Sequence, residues 1–358
     1  MRVISYVPVI KTADAEVRAL EKLSETVKNK ITPVLEFTRS RKSSKITDGD
    51  IHRRVRRLSE TFKDRTCFFD LTTDPNLTND QIKELQSNVA GYKNWTDFLL
   101  TYKKDFLKFI PTLQISDENL DSEDEHYKRL KQQVKVLAAN FGKILYRLPL
   151  GYEFAEKDMQ EICTEIPADR VVCLVDAEYI PKDKASVYST NAVSIVKQLS
   201  KFSPDKIVVA GTSFPKKPTQ HGSETEGRMA LEEKLFYQNV TKTEKDVIYG
   251  DYATIHPFRN DQSGGNGWVP RIDMPTEDEL FYFRDKKDKS ESSYAGAYER
   301  VAKKVAETVD YRAVGKKLKD CWGLEQINSA AKGLPPGLSP SFWISVRMNI
   351  HISLVTSH

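Results

Sequence analysis

The feature that most constrains the fold is a recurring apolar run that ends abruptly in a polar residue. In the clearest case, residues 170–179, five apolar residues are followed directly by Asp176 and Glu178. An apolar run without alternation is typical of a strand covered on both faces, as in a parallel sheet flanked by helices. The sequence predicts eight such strands, at residues 3–11, 31–37, 66–71, 109–115, 143–148, 171–178, 206–213 and 247–254.

Helix-like segments separate these strands. Apolar residues recur at helical spacing in residues 14–28, 50–62, 78–104, 122–140, 154–165, 183–202 and 226–238. Eight strands alternating with helices favour a (β/α)₈ TIM-type parallel barrel. An open doubly wound sheet is the alternative, but it would normally have fewer strands and a glycine-rich phosphate turn after the first, which this sequence lacks.

Each predicted strand ends in at least one polar residue. In chain order these are Lys11, Glu36, Asp70, Gln114, Arg147, Asp176 with Glu178, Ser213, and Asp251 beside Tyr252. A closed barrel would gather them at the C-terminal mouth, where barrel enzymes of this type have their active sites. The structural alternative is that these acids and bases neutralise one another in a stabilising network.

The pattern changes after the predicted barrel, and we expect a boundary near residue 258. Residues 1–258 would form the barrel, and residues 259–358 a β-hairpin, helices and a final strand. Residues 343–354 alternate between apolar and polar side chains, which predicts a half-buried strand that joins the 268–284 hairpin in a small antiparallel sheet. Its polar row includes Arg347 and His351, which suit an anion or a carboxylate, although a solvated sheet face explains them equally well.

Three loops are long or unusual in composition. Residues 214–225 have the Pro, Gly and Ser content of a lid over the mouth, with Lys216 and Lys217 available to an anion. Residues 261–268 could cradle a phosphate through their backbone amides. Residues 117–125 form an acidic run best explained as a solvated helix start with Ser122 as its cap.

Composition excludes several classes of protein. Of 358 residues, 39% are hydrophobic and 30% are charged, which is typical of an ordinary globular protein without a membrane span. The four cysteines have no C-x-x-C spacing, and the N-terminal residues lack the features of a signal peptide. We therefore expect a cytoplasmic protein. The net charge of +4 does not by itself imply nucleic acid as a partner.

The polar ring could support three kinds of chemistry. Its carboxylates could hold Mg²⁺ or Mn²⁺ while Lys11 and Arg147 clamp a phosphate, as in a hydrolase of a nucleotide or nucleic acid. Zinc is disfavoured because the ring contains no histidine. Without a metal, two carboxylates could act as general acid and base, as in glycoside cleavage. Schiff-base formation by Lys11 is the third option, although the nearby acids would keep this amine protonated.

Several short motifs resemble those of the phage-associated "beta protein" family. They are residues 6–11 (YVPVIK), 31–36 (ITPVLE), 250–253 (GDYA), and 343–347 (WISVR) with His351. The resemblance spans nearly the whole chain and implies a phage or mobile-element context without giving any residue a catalytic role. Members of the family usually carry a second polar residue or histidine beside the position of His351, where this chain has Ile350.

Two function hypotheses follow. The first is a barrel hydrolase that acts on a phosphate-containing substrate at the ring. The second is a non-catalytic protein that binds a partner from a phage or phage-defence system through its C-terminal region, where Trp268, Trp322, Phe342 and Trp343 gather.

Overall fold

The structure, a computed structural model, describes residues 4–41, 48–115, 122–217, 224–259 and 268–357. The chain forms two compact units. The barrel unit comprises Met1–Ala13, Thr32–Thr212 and Glu232–Tyr252, and the second unit comprises Asp14–Ile31, Ser213–Leu231 and Ala253–His358. Residues 117–121, 218–223 and 261–267, which belong to the three loops considered above, lie outside the described residues, so the lid and the phosphate cradle stay predictions. The predicted helix cap at Ser122 lies within the described residues and is confirmed.

The barrel unit is built on one parallel sheet of eight described strands. Its spatial order is β4-β3-β2-β1-β9-β7-β6-β5. A parallel bridge between Thr112 and Leu145 joins the two end strands, and the Leu113 amide donates to the Leu145 carbonyl at 2.8 Å. The strands are β1 (Tyr6–Lys11), β2 (Val34–Phe37), β3 (Cys67–Leu71), β4 (Phe109–Pro111), β5 (Ile144–Pro149), β6 (Val171–Tyr179), β7 (Lys206–Thr212) and β9 (Val247–Asp251). The predicted barrel is confirmed.

Helices separate most of these strands, as the apolar spacing predicts. Those of the barrel unit are α3 (His52–Phe62), α4 (Asp80–Gln86), α5 (Lys93–Tyr102), α6 (Glu123–Asn140), α7 (Ala155–Cys163), α8 (Ala185–Ser200) and α9 (Glu232–Thr241). Caps fix several of their starts. The hydroxyl of Ser122, for example, accepts from the Glu125 amide at 3.2 Å and satisfies a donor that the helix itself cannot pair.

The second unit combines helices with a small antiparallel sheet. Its elements are α1 (Asp14–Glu21), α2 (Glu25–Lys28), β8 (Glu226–Ala230), β10 (Arg271–Pro275), β11 (Glu279–Arg284), α10 (Ala295–Glu307), α11 (Val309–Lys317), α12 (Trp322–Ala331) and α13 (Pro340–Val355). The predicted hairpin is present as β10 and β11, and β8 is the third strand of the sheet. The prediction of helix for residues 226–230 was wrong, because these residues pair with β11, which is distant in sequence.

The predicted final strand was also wrong, since residues 340–355 form helix α13. Pro340 occupies its first turn, and the hydroxyl of Ser339 accepts from the Phe342 amide at 3.3 Å, which is a strong helix start. The alternation of apolar and polar residues arises because this helix is buried on nearly every side. Its polar residues have polar partners inside the unit. Asn349, for example, accepts from the Gly323 amide at 3.0 Å and donates to the Ala19 carbonyl at 3.2 Å.

Candidate functional site

A ring of ionisable side chains continues the inward-facing rows of the barrel strands. The barrel interior is lined by apolar residues that include Val9, Val34, Phe68, Leu145, Leu174 and Ile248. Side chains two residues apart on a strand share a face. The next inward positions are therefore Lys11, Glu36, Asp70, Arg147 and Asp176, with Tyr252 four residues beyond Ile248. The sheet thus brings these six side chains together at the C-terminal ends of its strands.

Arg147 is the centre of this network. Its Nε and Nη2 atoms donate to Asp176 Oδ2 at 2.9 and 2.7 Å. Its Nη1 atom donates to Asp70 Oδ2 at 2.7 Å and to Glu36 Oε2 at 3.2 Å. The Tyr252 hydroxyl accepts from Nη2 at 2.9 Å and donates to Asp176 Oδ2 at 2.6 Å. One guanidinium therefore fixes three carboxylates and a phenol.

The remaining partners extend the network along the strand ends. Lys11 Nζ forms an ion pair with Glu36 Oε1, and both side chains are buried. Gln114 Nε2 donates to Asp70 Oδ1 at 3.3 Å. Gln133 on α6 holds the Gln114 backbone by accepting from its amide at 2.8 Å and donating to its carbonyl at 3.2 Å. Sequence reasoning missed Gln133, although a glutamine beside Leu130, Val134 and Leu137 on one helix stripe was a signal.

Glu178 differs from the other acids because its carboxylate is not held. It is half-buried, and it accepts no hydrogen bond and forms no ion pair with the described residues. Its backbone is in the left-handed region at φ 51°, at a bulge in β6 where Asp176 pairs with Ala210 and Tyr179 pairs with Thr212. The Glu178 amide donates to Asp176 Oδ1 at 2.9 Å. A non-glycine residue in this conformation is strained, and such strain is concentrated at functional sites.

The network moves the carboxyl pKa values in opposite directions. Burial raises the pKa of Glu178, and the neighbouring Asp176 raises it further. Burial also raises the pKa of Asp70, although Arg147 opposes the effect. Burial acts on Glu36 in the same sense, but Lys11 and Arg147 outweigh it and hold its pKa below the ordinary value. Opposite pKa shifts within one cluster distinguish the carboxyl groups suited to act as acids from those suited to act as bases.

Asp251 is not part of this network, contrary to the sequence prediction. It accepts hydrogen bonds from Tyr6 at 2.6 Å and from Tyr249 at 2.8 Å, and it is fully buried. Asp251 is one residue out of phase with the inward row of β9, so its side chain lies on the opposite face of the sheet, with Tyr249. The inward residue at this strand end is Tyr252.

Three further predicted site residues belong to the second unit. The hydroxyl of Ser213 donates to the Ala230 carbonyl at 3.2 Å. Arg347 and His351 lie on α13 and are almost completely buried. Arg347 donates to Asp273 Oδ2 at 2.7 Å, so its guanidinium already has a carboxylate partner within its own unit. The structure therefore does not present Arg347 on a solvated polar row.

The charge balance of the barrel network limits its chemistry. Four carboxylates, Glu36, Asp70, Asp176 and Glu178, surround two cations, Lys11 and Arg147, which leaves two negative charges when all are ionised. Within the part of the chain that the structure describes, no three acidic, histidine or cysteine side chains are grouped so that they could hold a metal ion. The guanidinium of Arg147 contacts three of the carboxylates that the cation hypothesis required as ligands.

Comparison with known proteins identifies the family. The model of the Beta protein family matches residues 6–357. Protein beta of Enterobacteria phage P4 is 27% identical over 353 residues, covering 98% of this chain and 92% of the relative. A chitinase from Chromobacterium violaceum aligns over 97% of this chain and 99% of that chain, with 9% identity and a TM-score of 0.39. No helix among the described residues is long and apolar enough to cross a membrane. The chain belongs to the Beta protein family.

Proposed function

We propose that this chain is a metal-independent hydrolase that uses general acid–base catalysis at the barrel network, with Glu178 as the proton donor. The observation that carries the proposal is the contrast in partners. Asp176, Asp70 and Glu36 are each held by Arg147, whereas the Glu178 carboxylate is half-buried and has no hydrogen-bond partner among the described residues. A carboxylate that must meet a substrate has to be left available by its neighbours.

The proposed reaction uses the proton of Glu178 and the negative charge of the buried carboxylates. In its protonated form, Glu178 gives a proton to the leaving-group oxygen as the bond from that oxygen to carbon breaks. The surplus negative charge of the buried carboxylates stabilises the positive charge that develops on this carbon, as in glycoside cleavage. Water then adds to the carbon, and its proton returns to Glu178. Each step balances without a metal or a redox partner.

The negative charge of the network also limits which substrate groups can bind there. Lys11 and Arg147 both form ion pairs with carboxylates, so neither cation is available to bind a phosphate at the centre of the network. An anion placed there would also meet the surplus negative charge and be repelled. We therefore favour a bond between uncharged groups, such as a glycosidic bond. The phosphodiester hypothesis stays a prediction that the same experiment tests.

A paired substrate panel tests this proposal. Purified protein would be incubated with chromogenic aryl glycosides and with an aryl phosphodiester, with and without EDTA. We expect glycoside cleavage that EDTA does not affect. Glu178→Gln should lower kcat/KM by about 100-fold or more, the usual contribution of a general acid. Glu153→Gln is the matched control, because Glu153 is an exposed glutamate in the loop after β5.

Four results would count against the proposal. Activity that EDTA abolishes would restore the metal hypothesis, and cleavage of only the phosphodiester would restore the phosphate hypothesis. Full activity of Glu178→Gln would remove Glu178 from the mechanism. Failure of the wild-type protein to cleave any substrate would favour the second hypothesis, a non-catalytic protein with an unidentified partner.

The structure changes the basis of that second hypothesis. It assumed that a C-terminal sheet with clustered aromatic residues docks a partner. Trp343 is 4% exposed and lies in the core of the second unit, where its ring stacks on Tyr298 at 5.1 Å between centroids. Helix α13 therefore supplies core packing within its unit, and no observation on this helix favours a docking surface.

A further inference from the structure

A narrow cleft in the barrel unit adjoins the proposed catalytic network. It is too narrow to admit a water-sized group as it stands, and it is lined by Tyr92, Gln114, Ile115, His126, Arg129 and Leu130. We refer to it as the α6 cleft. Gln114 belongs to both regions, because it lines the cleft and donates to Asp70 Oδ1. The cleft therefore begins where the catalytic network ends.

The α6 cleft contains a cationic donor that no described residue pairs with. Arg129 forms an ion pair with Glu125 through its Nη2 atom. Its Nη1 atom is buried and has no hydrogen-bond partner in the part of the chain that the structure describes. Leaving a buried charged donor unpaired is costly, so a group that accepts from Nη1 would recover this free energy on binding.

His126 supplies a second polar group on the same helix. Its Nε2 atom lies 3.7 Å from Asp158 Oδ1, an oxygen that is fully buried. The other oxygen of Asp158 accepts from Tyr146 at 2.8 Å and from Tyr152 at 2.9 Å. Asp158 is therefore fixed behind His126 and orients its ring by charge.

The wall opposite α6 is strained. Ala90, Gly91 and Tyr92 have successive φ values of 49°, 66° and 60°, all in the left-handed region, directly before helix α5. A side chain at Gly91 would meet Gln132 at 2.7 Å, so the loop lies close against α6. Two non-glycine residues in this conformation are costly, and such strain is concentrated at ligand-binding sites. Here it holds the Tyr92 ring against the cleft.

We infer that the α6 cleft is an oxyanion subsite, in which Arg129 Nη1 binds a phosphate or carboxylate group of the substrate. In assigning that group to the substrate, the inference rests on the proposed function. The bond to be cleaved meets Glu178 and the anionic group lies in the α6 cleft, which Gln114 links to Asp70 of the catalytic network. Because the cleft is narrow, Arg129 and the other rim side chains must shift to admit the group. Arg129 is long and 21% exposed, so it can move.

The test measures binding directly and does not depend on turnover. Inorganic phosphate would be titrated into the full-length protein by calorimetry. We expect saturable binding that Arg129→Met weakens about tenfold or more, the effect of losing one charge-assisted hydrogen bond. Lys128→Met is the matched control, since it removes the same charge from the neighbouring, exposed position of α6. Circular dichroism would verify that both variants are folded.

The outcomes separate this inference from the proposed function. Loss of phosphate binding in Arg129→Met alone supports the subsite, whether or not the protein cleaves any tested glycoside. Absence of binding to the wild-type protein, equal loss in both variants, or unchanged binding in Arg129→Met would overturn it. None of these results bears on Glu178, whose role is decided by the activity of Glu178→Gln.

Discussion

Two arginines that pair with buried acids, Arg147 in the barrel unit and Arg347 in the second unit, balance the charge around them differently. Arg347 pairs with Asp273, which also accepts from Arg271 Nε at 2.5 Å, and the Arg347 guanidinium lies 3.9 Å from the centre of the Phe214 ring. Glu16 is within electrostatic range, so two arginines face two acids. Arg147 and Lys11 face four acids. The balanced set needs no further partner, whereas the barrel set keeps two negative charges in excess when all four acids are ionised.

The largest expected effect is that of Arg147→Met, which would leave the buried carboxylates of Asp70 and Asp176 without their cation and Glu36 with Lys11 as its remaining partner. Removing one partner from a buried ion pair typically costs about 3–5 kcal/mol, and we expect a loss in that range from urea unfolding at pH 7. Without Arg147, the pKa of Asp70, already raised by burial, would rise further in the folded state. Stability is then lost as pH rises and recovered as pH falls, so the deficit should shrink between pH 7 and pH 5.

A deficit for Arg147→Met that stays constant over this pH range would contradict the interpretation. It would mean that the carboxylates are not the groups left uncompensated by the substitution. Lys128→Met, an exposed charge removal on α6, serves as the control and should change the free energy of unfolding by less than about 0.5 kcal/mol at either pH.

Arg347→Met should have a smaller effect, about 3 kcal/mol, because Asp273 keeps Arg271 as a partner. Burial would raise the pKa of Asp273, but Arg271 and Arg347 together lower it below its ordinary value. A lowered pKa contributes stability that is present above the unfolded-state pKa and lost only as pH falls through the folded-state value. The deficit of Arg347→Met should therefore remain constant between pH 7 and pH 5, unlike that of Arg147→Met.

Parallel pH dependence of the two deficits would break the comparison. The measurement is the free energy of unfolding of both variants in the same buffers, relative to wild type. If the deficit of Arg347→Met also shrank on acidification to pH 5, the second unit would hold a surplus acid as well. The contrast between a balanced and an unbalanced set would then be lost.

The same two regions show how much the sequence could predict. The barrel was predictable because each strand carries its own signal, an apolar run that ends in a charge, and because chain order is spatial order in a closed barrel. Which side chains belong to the ring followed from the two-residue periodicity of the strands. The local sequence identified Lys11, Glu36, Asp70, Arg147 and Asp176. Choosing between Asp251 and Tyr252 required counting along the chain in steps of two from the inward-facing Ile248.

The second unit was harder to predict because its signals are not local. Strand β8 pairs with β11, more than forty residues further along the chain. In α13, the alternation of apolar and polar residues suggested a strand, yet the polar residues are buried against partners such as Asp273 and Gly323. Burial of polar groups inside a unit cannot be inferred from periodicity, whereas the Ser339-Pro340 helix start could have been.

The smallest expected effect concerns Glu178 itself and has the opposite sign. Because burial and Asp176 raise its folded-state pKa above the unfolded value, the ionised form of Glu178 destabilises the folded state at pH 7. Glu178→Gln should therefore raise the free energy of unfolding by about 0.5 kcal/mol at pH 7, a modest gain because the side chain is partly solvated. The gain should disappear below about pH 4, the unfolded-state pKa of glutamate.

This small stability gain ties the surplus carboxylate to function. If the gain is found, Glu178 costs stability, has a strained backbone and has no partner among the described residues, a combination that is common in active-site residues. Glu153→Gln removes the same charge from an exposed position and should leave stability unchanged within about 0.5 kcal/mol. If Glu178→Gln instead destabilised the protein at pH 7, Glu178 would be part of the structural network. Arg147 and Arg347 would then differ only in the number of their partners.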